Sequence, residues 1–439
     1  MQNKQPQQAE ITALSHEGRG IAHVNGKTVF IENALPGETV LFKYTYTKAK
    51  YAEGEAVEIL KTSPERVSPK CQHYAYCGGC SMQHLASMAQ ITFKQQVLLE
   101  QLKHFGGITP QEVLAPILGD EWGYRHKARL GVRYVAKKGG ALVGFREKNS
   151  RYLAELERCE VLHPAVGTLI PELKNLISSL EACQQIAQIE VAIGDQTVAL
   201  VLRNLIELTT QDIAKLKVFA AQQGLWIYLQ PKGPASTYKI WPEDGAEFLV
   251  YQLPISQAKS INYEFHPLDF TQVNPSINRQ MVTKAIALLD LQSTDSVLDL
   301  FCGLGNFSLA LAQYCQQVVG VEGDELMVKR AHHNAKLNHI TNACFYTANL
   351  MEPIAEQPWM KQKYSKILLD PPRGGALEIL PNLAQLQVDR IVYVSCNPAT
   401  LARDAGILVN QLGYKLSKAG VMNMFPHTSH VESIALFER

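Results

Sequence analysis

The chain has 439 residues, more than one ordinary hydrophobic core accommodates, so two or three domains are expected. Hydrophobic residues make up 46% and charged residues 19%, a balance that excludes long-range disorder. Lys and Arg number 42 against 41 Asp and Glu, a net charge of +1, so any polyanionic partner must be met by a local basic surface.

Met1–Glu10 is polar and Gln-rich, without the apolar stretch of a leader. No apolar run approaches the ~18–20 residues of a bilayer-spanning helix, so a soluble cytoplasmic protein is expected. Nine irregularly spaced cysteines are too few for a secreted disulfide scaffold. In a reducing compartment they serve as free thiols, metal ligands or nucleophiles. Residues 11–62 read as β, with Asn25–Gly26 as a hairpin signal and Pro36–Gly37 as a second break. Five short strands there suggest a small OB-like barrel, a frequent nucleic-acid platform, and 1–62 is taken as the first domain. A β module that binds nothing would look the same at this level. Thr62–Lys70, with two prolines, reads as a linker.

A second region, 63–268, carries cysteines, a helical pattern over Leu85–Phe105 and then mostly strands. These are expected at Arg125–Val135, Ala141–Arg146, Ile189–Ile193, Val198–Leu202, Trp226–Leu229 and Phe248–Leu253, with Gly194–Asp195 closing an antiparallel hairpin. Cys71, Cys77 and Cys80 flank Gly78–Gly79, and Cys159 is the nearest later cysteine. Four thiolates suit zinc or a [4Fe–4S] cluster, and spacing alone does not choose between them. From Trp122 to Arg158, ten Lys and Arg face three acids, so this stretch carries +7 and the rest of the chain −6. Arg125, Lys127, Arg129 and Arg133 fall on one face of a strand, with Ala128, Leu130 and Val132 on the other. Four cations so placed repel unless a polyanion screens them, which favours phosphate contact over a merely solvated face.

From 269 to 439 strands and helices alternate, which implies a parallel sheet covered on both sides, a Rossmann-like α/β domain. Strands are expected at Ser296–Leu300, Gln317–Val321, Ala343–Thr347, Lys366–Leu369 and Arg390–Val394, with helices such as Phe307–Ala312 and Glu325–Leu337 between them. The first strand runs into Phe301-Cys302-Gly303-Leu304-Gly305-Asn306, a turn through which backbone can approach a ligand. A third glycine is missing, since 308 is Ser, which disfavours a pyrophosphate and suits an adenosyl cofactor without phosphates. Glu322, about twenty residues on at the end of the next strand, stands where an acid receives a ribose hydroxyl pair. Asn349 follows the third strand, and Asp370-Pro371-Pro372 ends the fourth, where Arg373 replaces the aromatic expected for chemistry on an exocyclic amine. Cys396 ends the fifth strand at the same sheet edge. A cysteine there is usually buried and inert, but a thiolate beside a methyl donor has a specific use. Added to C6 of a pyrimidine, it makes C5 nucleophilic enough to take a methyl group, after which a base removes the C5 proton.

Asp299-Leu300-Phe301-Cys302-Gly303-Leu304-Gly305-Asn306-Phe307, Leu369-Asp370-Pro371-Pro372-Arg373-Gly374-Gly375 and Val394-Ser395-Cys396-Asn397-Pro398 together resemble the S-adenosylmethionine-dependent RNA uracil-C5 methyltransferases. The resemblance implies Cys396 as nucleophile and Glu432, in His430-Val431-Glu432, as the C5 base. It implies Gln272, Phe301, Asn306, Glu322, Asn349 and Asp370 as cofactor contacts. It also favours a [4Fe–4S] cluster on Cys71, Cys77, Cys80 and Cys159, and an N-terminal barrel of the TRAM type. A chain with both cluster and barrel resembles, over its whole length, the branch that methylates uridine 1939 of 23S ribosomal RNA; no membrane and no obligate protein partner are implied. Thiolate addition serves cytosine equally, so a cytosine-C5 RNA methyltransferase is the nearest alternative. A non-catalytic iron–sulfur RNA-binding protein is a more distant one, against which the intact Cys396 and Asp370 speak.

Overall fold

The computed structural model describes residues 5–439; the first four residues of the expected 1–62 module lie outside them. Among the described residues no helix is long and apolar enough to cross a membrane. Strands β1 (Gln7–Glu10), β2 (Ala13–Leu14), β3 (Gly20–Val24), β4 (Lys27–Glu32), β5 (Thr39–Thr47) and β6 (Tyr51–Lys61) form one sheet in the order β1-β5-β6-β4-β3-β2. Asn25 and Gly26 both take positive φ, as the hairpin signal requires, and β3 pairs with β4 across them. Between β1 and β2 the Ile11 N–H donates to Glu38 O and the Thr12 N–H to Ile21 O, both at 2.9 Å. These bonds reach both sides of the sheet and curl it around Val29, Ile31, Val40 and Phe42, none with any exposure. The sequence reading gave five strands here. The sixth is β1, drawn from the Gln-rich start, where only Ala9 turns inward and backbone pairing with β5 supplies the rest.

β7 (Glu112–Val113) is remote from this module. β8 (Lys127–Val135), β9 (Gly140–Gly144), β10 (Ile186–Ile193), β11 (Val198–Asn204), β12 (Leu225–Leu229) and β13 (Tyr238–Trp241) form a second sheet in the order β13-β12-β11-β10-β8-β9. Helices Ile170–Ser179 and Thr210–Gln223 share one core with Leu130, Ile189, Leu200 and Ile227 on one face of it. On the other face Ala192, Val201 and Tyr228 pack with the hairpin β14 (Leu249–Ser256) and β15 (Lys259–Phe265). This hairpin bridges to the third sheet.

That sheet holds β16 (Ser296–Leu300), β17 (Gln317–Glu322), β18 (Ala343–Thr347), β19 (Lys366–Leu369), β20 (Arg390–Ser395), β21 (Lys415–Met422) and β22 (Glu432–Glu438), with β7 at its far edge. The order is β18-β17-β16-β19-β20-β22-β21-β7, parallel from β18 to β20. β22 inserts antiparallel between β20 and β21. Successive strand residues enter opposite cores: Val297 and Val392 pack with helix Pro275–Leu289, Leu298 and Ile391 with helix Pro398–Asn410. Helix Ser87–Gln101, read from sequence as part of the middle region, buries Ile91, Val97 and Leu98 in this second core. Its Lys94 is fully buried and donates to Asn423 Oδ1 (3.1 Å) and Phe425 O (2.8 Å), tying the helix to the loop before β22.

Candidate active site

The carboxyl ends of β16, β17, β19 and β20 open on one crevice, where a doubly wound sheet places its ligands. After β16 the chain turns sharply. Phe301 adopts φ 66°, a conformation that a bulky side chain tolerates only where its surroundings enforce it. The Phe301 and Cys302 N–H groups both donate to Val321 O, pinning the turn to β17. Gly303 and Gly305 follow at φ 55° and 90°. Glu322 closes the arrangement: Oε2 accepts from Gly303 N (3.1 Å), and Oε1 from Gly323 N (2.7 Å) and Asp324 N (3.0 Å). Ser308, where a third glycine was missing, donates its hydroxyl to the fully buried Asp299. Burial pushes the Asp299 carboxyl up to about 7.

Asp370, at the end of β19, is also raised to about 7, first by burial and then by the charges of Asp299 and Glu322. Cys396 directly follows β20, and Asn397 caps the next helix by accepting from Ala399 N (3.1 Å), with Pro398 in its first turn. Asn397 Nδ2 also donates to Arg373 O (3.0 Å), so the Asp-Pro-Pro-Arg segment and the cysteine segment are held together. β20 and β22 pair Ser395 with Ser433, which sets Cys396 and Glu432 side by side one step beyond. Burial raises the Cys396 thiol to about 11, aided by Glu432 and Asp370 and opposed by Arg373. Glu432 is buried and held well above the carboxylate range by burial and by Asp370. Two carboxyls, those of Glu432 and Asp370, therefore stand against one cysteine in a largely buried crevice. Such a site favours a cationic ligand and keeps its thiol protonated until positive charge arrives.

The other expected contacts are less uniform. Gln272 is half-buried between β15 and helix Pro275–Leu289, in the segment whose Val273 O accepts from His126 N (2.8 Å). Asn349 is exposed at the rim, its amide donating to Glu352. Asn306 exchanges amide bonds with Asn278 (2.9 and 3.0 Å) and accepts from the Tyr251 hydroxyl (2.9 Å), so its side chain holds the turn rather than facing the crevice free. Asp299 and Lys94 were not singled out from sequence, and Arg373 was noted only for the aromatic it replaces. For Asp299 a signal existed, an acid four residues before Gly303; for Lys94 there was none, because its partners are over 300 positions away.

All nine cysteines are free thiols. Cys71, Cys77, Cys80 and Cys159 line a single cavity with Tyr74, Phe145 and Leu156, although 79 residues separate Cys80 from Cys159. Burial raises all four, Cys80 to about 12 and Cys159 to about 11. Among the described residues, no three His, Cys, Asp or Glu side chains are gathered to hold a single metal ion. The basic strand departs from its expected form. Lys127 turns inward, donates to Pro267 O and is lowered by burial to about 8, Arg125 Nε donates to Lys127 O (3.1 Å), and Arg129 pairs with Glu190 (2.9 Å). Of the four cations only Arg133 is both exposed and without a carboxylate partner, because tertiary contacts neutralise or absorb the others.

The family model described as tRNA (uracil-5-)-methyltransferase matches residues 88–439, and that of the TRAM domain matches residues 2–57. The chain is 53% identical over 435 residues to a 23S rRNA (uracil(1939)-C(5))-methyltransferase RlmD of Francisella tularensis subsp. novicida (strain U112), covering 98% of this chain and 96% of that protein. It is 52% identical over 438 residues to the like-named protein of Legionella pneumophila (strain Paris), covering 100% and 98%. Among solved structures, the Pyrococcus abyssi tRNA (uracil-54, C5)-methyltransferase in complex with S-adenosyl-L-homocysteine superposes with a TM-score of 0.73 at 24% identity, over 98% of this chain and 100% of that one. This last likeness concerns the fold alone.

Proposed function

Because the chain belongs to the tRNA (uracil-5-)-methyltransferase family, we propose that it transfers a methyl group from S-adenosyl-L-methionine to C5 of a uridine in 23S ribosomal RNA, uridine 1939 being the position its relatives' names give. One observation carries the chemistry: Cys396 and Glu432 stand at the same step of adjacent strands, on the sheet edge that holds the glycine turn and Glu322. The target base is extruded from its stack into the crevice. The Cys396 thiolate adds to C6, and the electron pair of the C5–C6 bond moves toward C5 and the O4 enolate. C5 then takes the methyl carbon, and the carbon–sulfur bond of the sulfonium breaks to leave a neutral thioether. Glu432 removes the C5 proton, the C5–C6 double bond re-forms, and the thiolate leaves. Glu322 receives the ribose hydroxyls, while Asp370, Phe301, Asn349 and Gln272 line the cofactor's side; Asn306 holds the turn.

The barrel strands β1–β6 and the middle sheet serve RNA binding on this reading. Cys71, Cys77, Cys80 and Cys159 are assigned to a [4Fe–4S] cluster. An all-thiol donor set around one cavity suits either a cluster or zinc, and the family resemblance is what favours the cluster. When bound, the cluster would supply the cationic iron that lets four buried thiols ionise. The mechanism is tested on a denaturing gel with labelled RNA. Cys396→Ala should bind RNA and form no adduct, whereas Glu432→Gln should methylate C5 and stay covalently attached. An adduct from Cys396→Ala refutes the nucleophile; release of methylated RNA at the normal rate by Glu432→Gln refutes the base.

A further inference from the structure

We propose that a groove on the open face of the β8–β9–β10 sheet, away from the crevice, holds a single-stranded segment of the RNA that flanks the target uridine. The proposal rests on the reading of RNA as substrate and adds a second site to it. The groove encloses about 1140 Å³ and is lined by Arg129, Arg133, Arg146, Arg151, Tyr134 and Tyr152 among others. Helices cover the opposite face of this sheet, and the β14–β15 hairpin covers the near face over β12, β11 and the Ala192 end of β10. The β8–β9 end is left open.

The shape of the groove follows from two glycines. Gly131 and Gly144 are paired across β8 and β9. A side chain on Gly131 would come within 2.7 Å of Leu153, and one on Gly144 within 2.6 Å of Leu156. Their absence lets the segment 145–153 lie down on the sheet. There it forms a wall, tied by Glu147 N to Tyr152 O and Ala154 N to Phe145 O, both at 2.9 Å. The wall is fixed from behind by the first cysteine loop, through Gly78 N to Arg146 O and Lys148 N to Tyr76 O, both at 2.8 Å. Arg146, Arg151 and Tyr152 are thereby presented opposite Arg129 and Arg133.

Charge selects the occupant. Arg129 and Lys138 have carboxylate partners in Glu190 and Glu155. Arg133, Arg146 and Arg151 are exposed and have none within ion-pair distance among the described residues. Glu147 is the one acid in the lining. Guanidinium groups in this number match phosphate oxygens bidentately. The aromatics narrow the choice further. Tyr152 is 63% exposed with Arg151 set 5.7 Å from its ring centre, a stacking platform of the kind that takes unpaired bases. A duplex would leave such a ring idle, because its bases are already stacked. The groove is also within reach of the crevice. β8 starts beside the 269–274 segment, where His126 N bonds Val273 O, and the seven residues from there to Arg133 span ~23 Å. A few nucleotides cover that distance.

The test measures binding of a 23S ribosomal RNA fragment containing the target uridine over a range of salt concentrations. Arg133→Gln, Arg146→Gln and Arg151→Gln combined should lower the slope of log affinity against log salt by about 2, as three lost phosphate contacts on a single strand predict. Tyr152→Ala should weaken binding about tenfold and leave the slope unchanged, the signature of lost stacking. S-adenosylmethionine affinity, measured on the same samples, should match wild type and shows that both variants are folded. If the triple variant keeps wild-type affinity and slope while wild type methylates the fragment, the groove is not an RNA site. If wild type itself fails to methylate the fragment, the functional reading falls first and this site with it.

Discussion

In the cofactor-free protein the Cys396 thiol, raised to about 11, should be a poor nucleophile at neutral pH. At pH 7.5 only ~1 in 3,000 molecules carries the thiolate, against ~1 in 10 for an unperturbed cysteine, a ~300-fold deficit. A more basic thiolate reacts faster once formed, by ~13-fold over 2.5 pK units, so the net deficit is ~20-fold. The assay is iodoacetamide alkylation followed by mass spectrometry of the peptide containing Cys396. Its rate should climb about tenfold per pH unit from 7.5 toward 10 and level only near 11. Asp370→Asn should move the levelling point down, because Asp370 is charged throughout that range and opposes the thiolate. A rate that plateaus below pH 9 in the wild-type protein would refute the account of Cys396 as a thiol suppressed by burial and neighbouring carboxylates.

Glu322→Ala should weaken S-adenosylmethionine binding by about 1–3 kcal/mol, since it removes ribose acceptors together with the carboxylate that bonds three backbone N–H groups of the turn; unchanged affinity by calorimetry would remove Glu322 from the site. Purified without oxygen, the protein should be brown, and Cys71→Ser, Cys77→Ser, Cys80→Ser or Cys159→Ser should each bleach it. A colourless protein with stoichiometric zinc would overturn the cluster. With 5-fluorouridine at the target position no C5 proton can be removed, and the wild-type protein should remain bound to the RNA on a denaturing gel; free RNA would contradict thiolate addition.

What was legible in the sequence was local. The Asn25–Gly26 hairpin, the glycine turn after β16 and helix Glu325–Leu337 each carry their signals within a dozen residues. β22 was not foreseen, although Glu432–Glu438 is an almost wholly buried run. An apolar run at the end of the chain does not announce that it inserts antiparallel between two other strands. That insertion is what carries Glu432 to Cys396, so resemblance, rather than pattern, pointed to Glu432. Lys127 shows the opposite failure. Alternation placed it on a cationic face, but alternation is blind to Pro267, whose carbonyl draws the amine inward. The four cysteines were grouped from spacing because the first three are close in sequence; the fourth is brought to them only by the path of the chain through Cys159.

The carboxyls beside Cys396 also bear on the order of steps in the proposed reaction. Burial and Asp370 hold the Glu432 carboxyl well above the ordinary carboxylate range, and on the proposed mechanism its carboxylate acts only after the methyl group has moved. A positive charge brought into the crevice favours the ionised form of every carboxyl it faces. On the proposed mechanism the arriving sulfonium favours the ionised forms of Glu432, Asp370 and Cys396, and the thiolate can add. Methyl transfer then converts the sulfonium to a neutral thioether, and the carboxylates lose their counter-charge. On that mechanism Glu432 becomes a stronger base at the step in which the C5 proton must leave. Asp370 raises both Cys396 and Glu432, so its own charge opposes ionisation of each. A lone, solvated carboxylate at position 432 would be ionised at neutral pH before and after transfer and would gain little basicity from the change. The proposed timing rests on burial of Glu432 on β22, between β20 and β21.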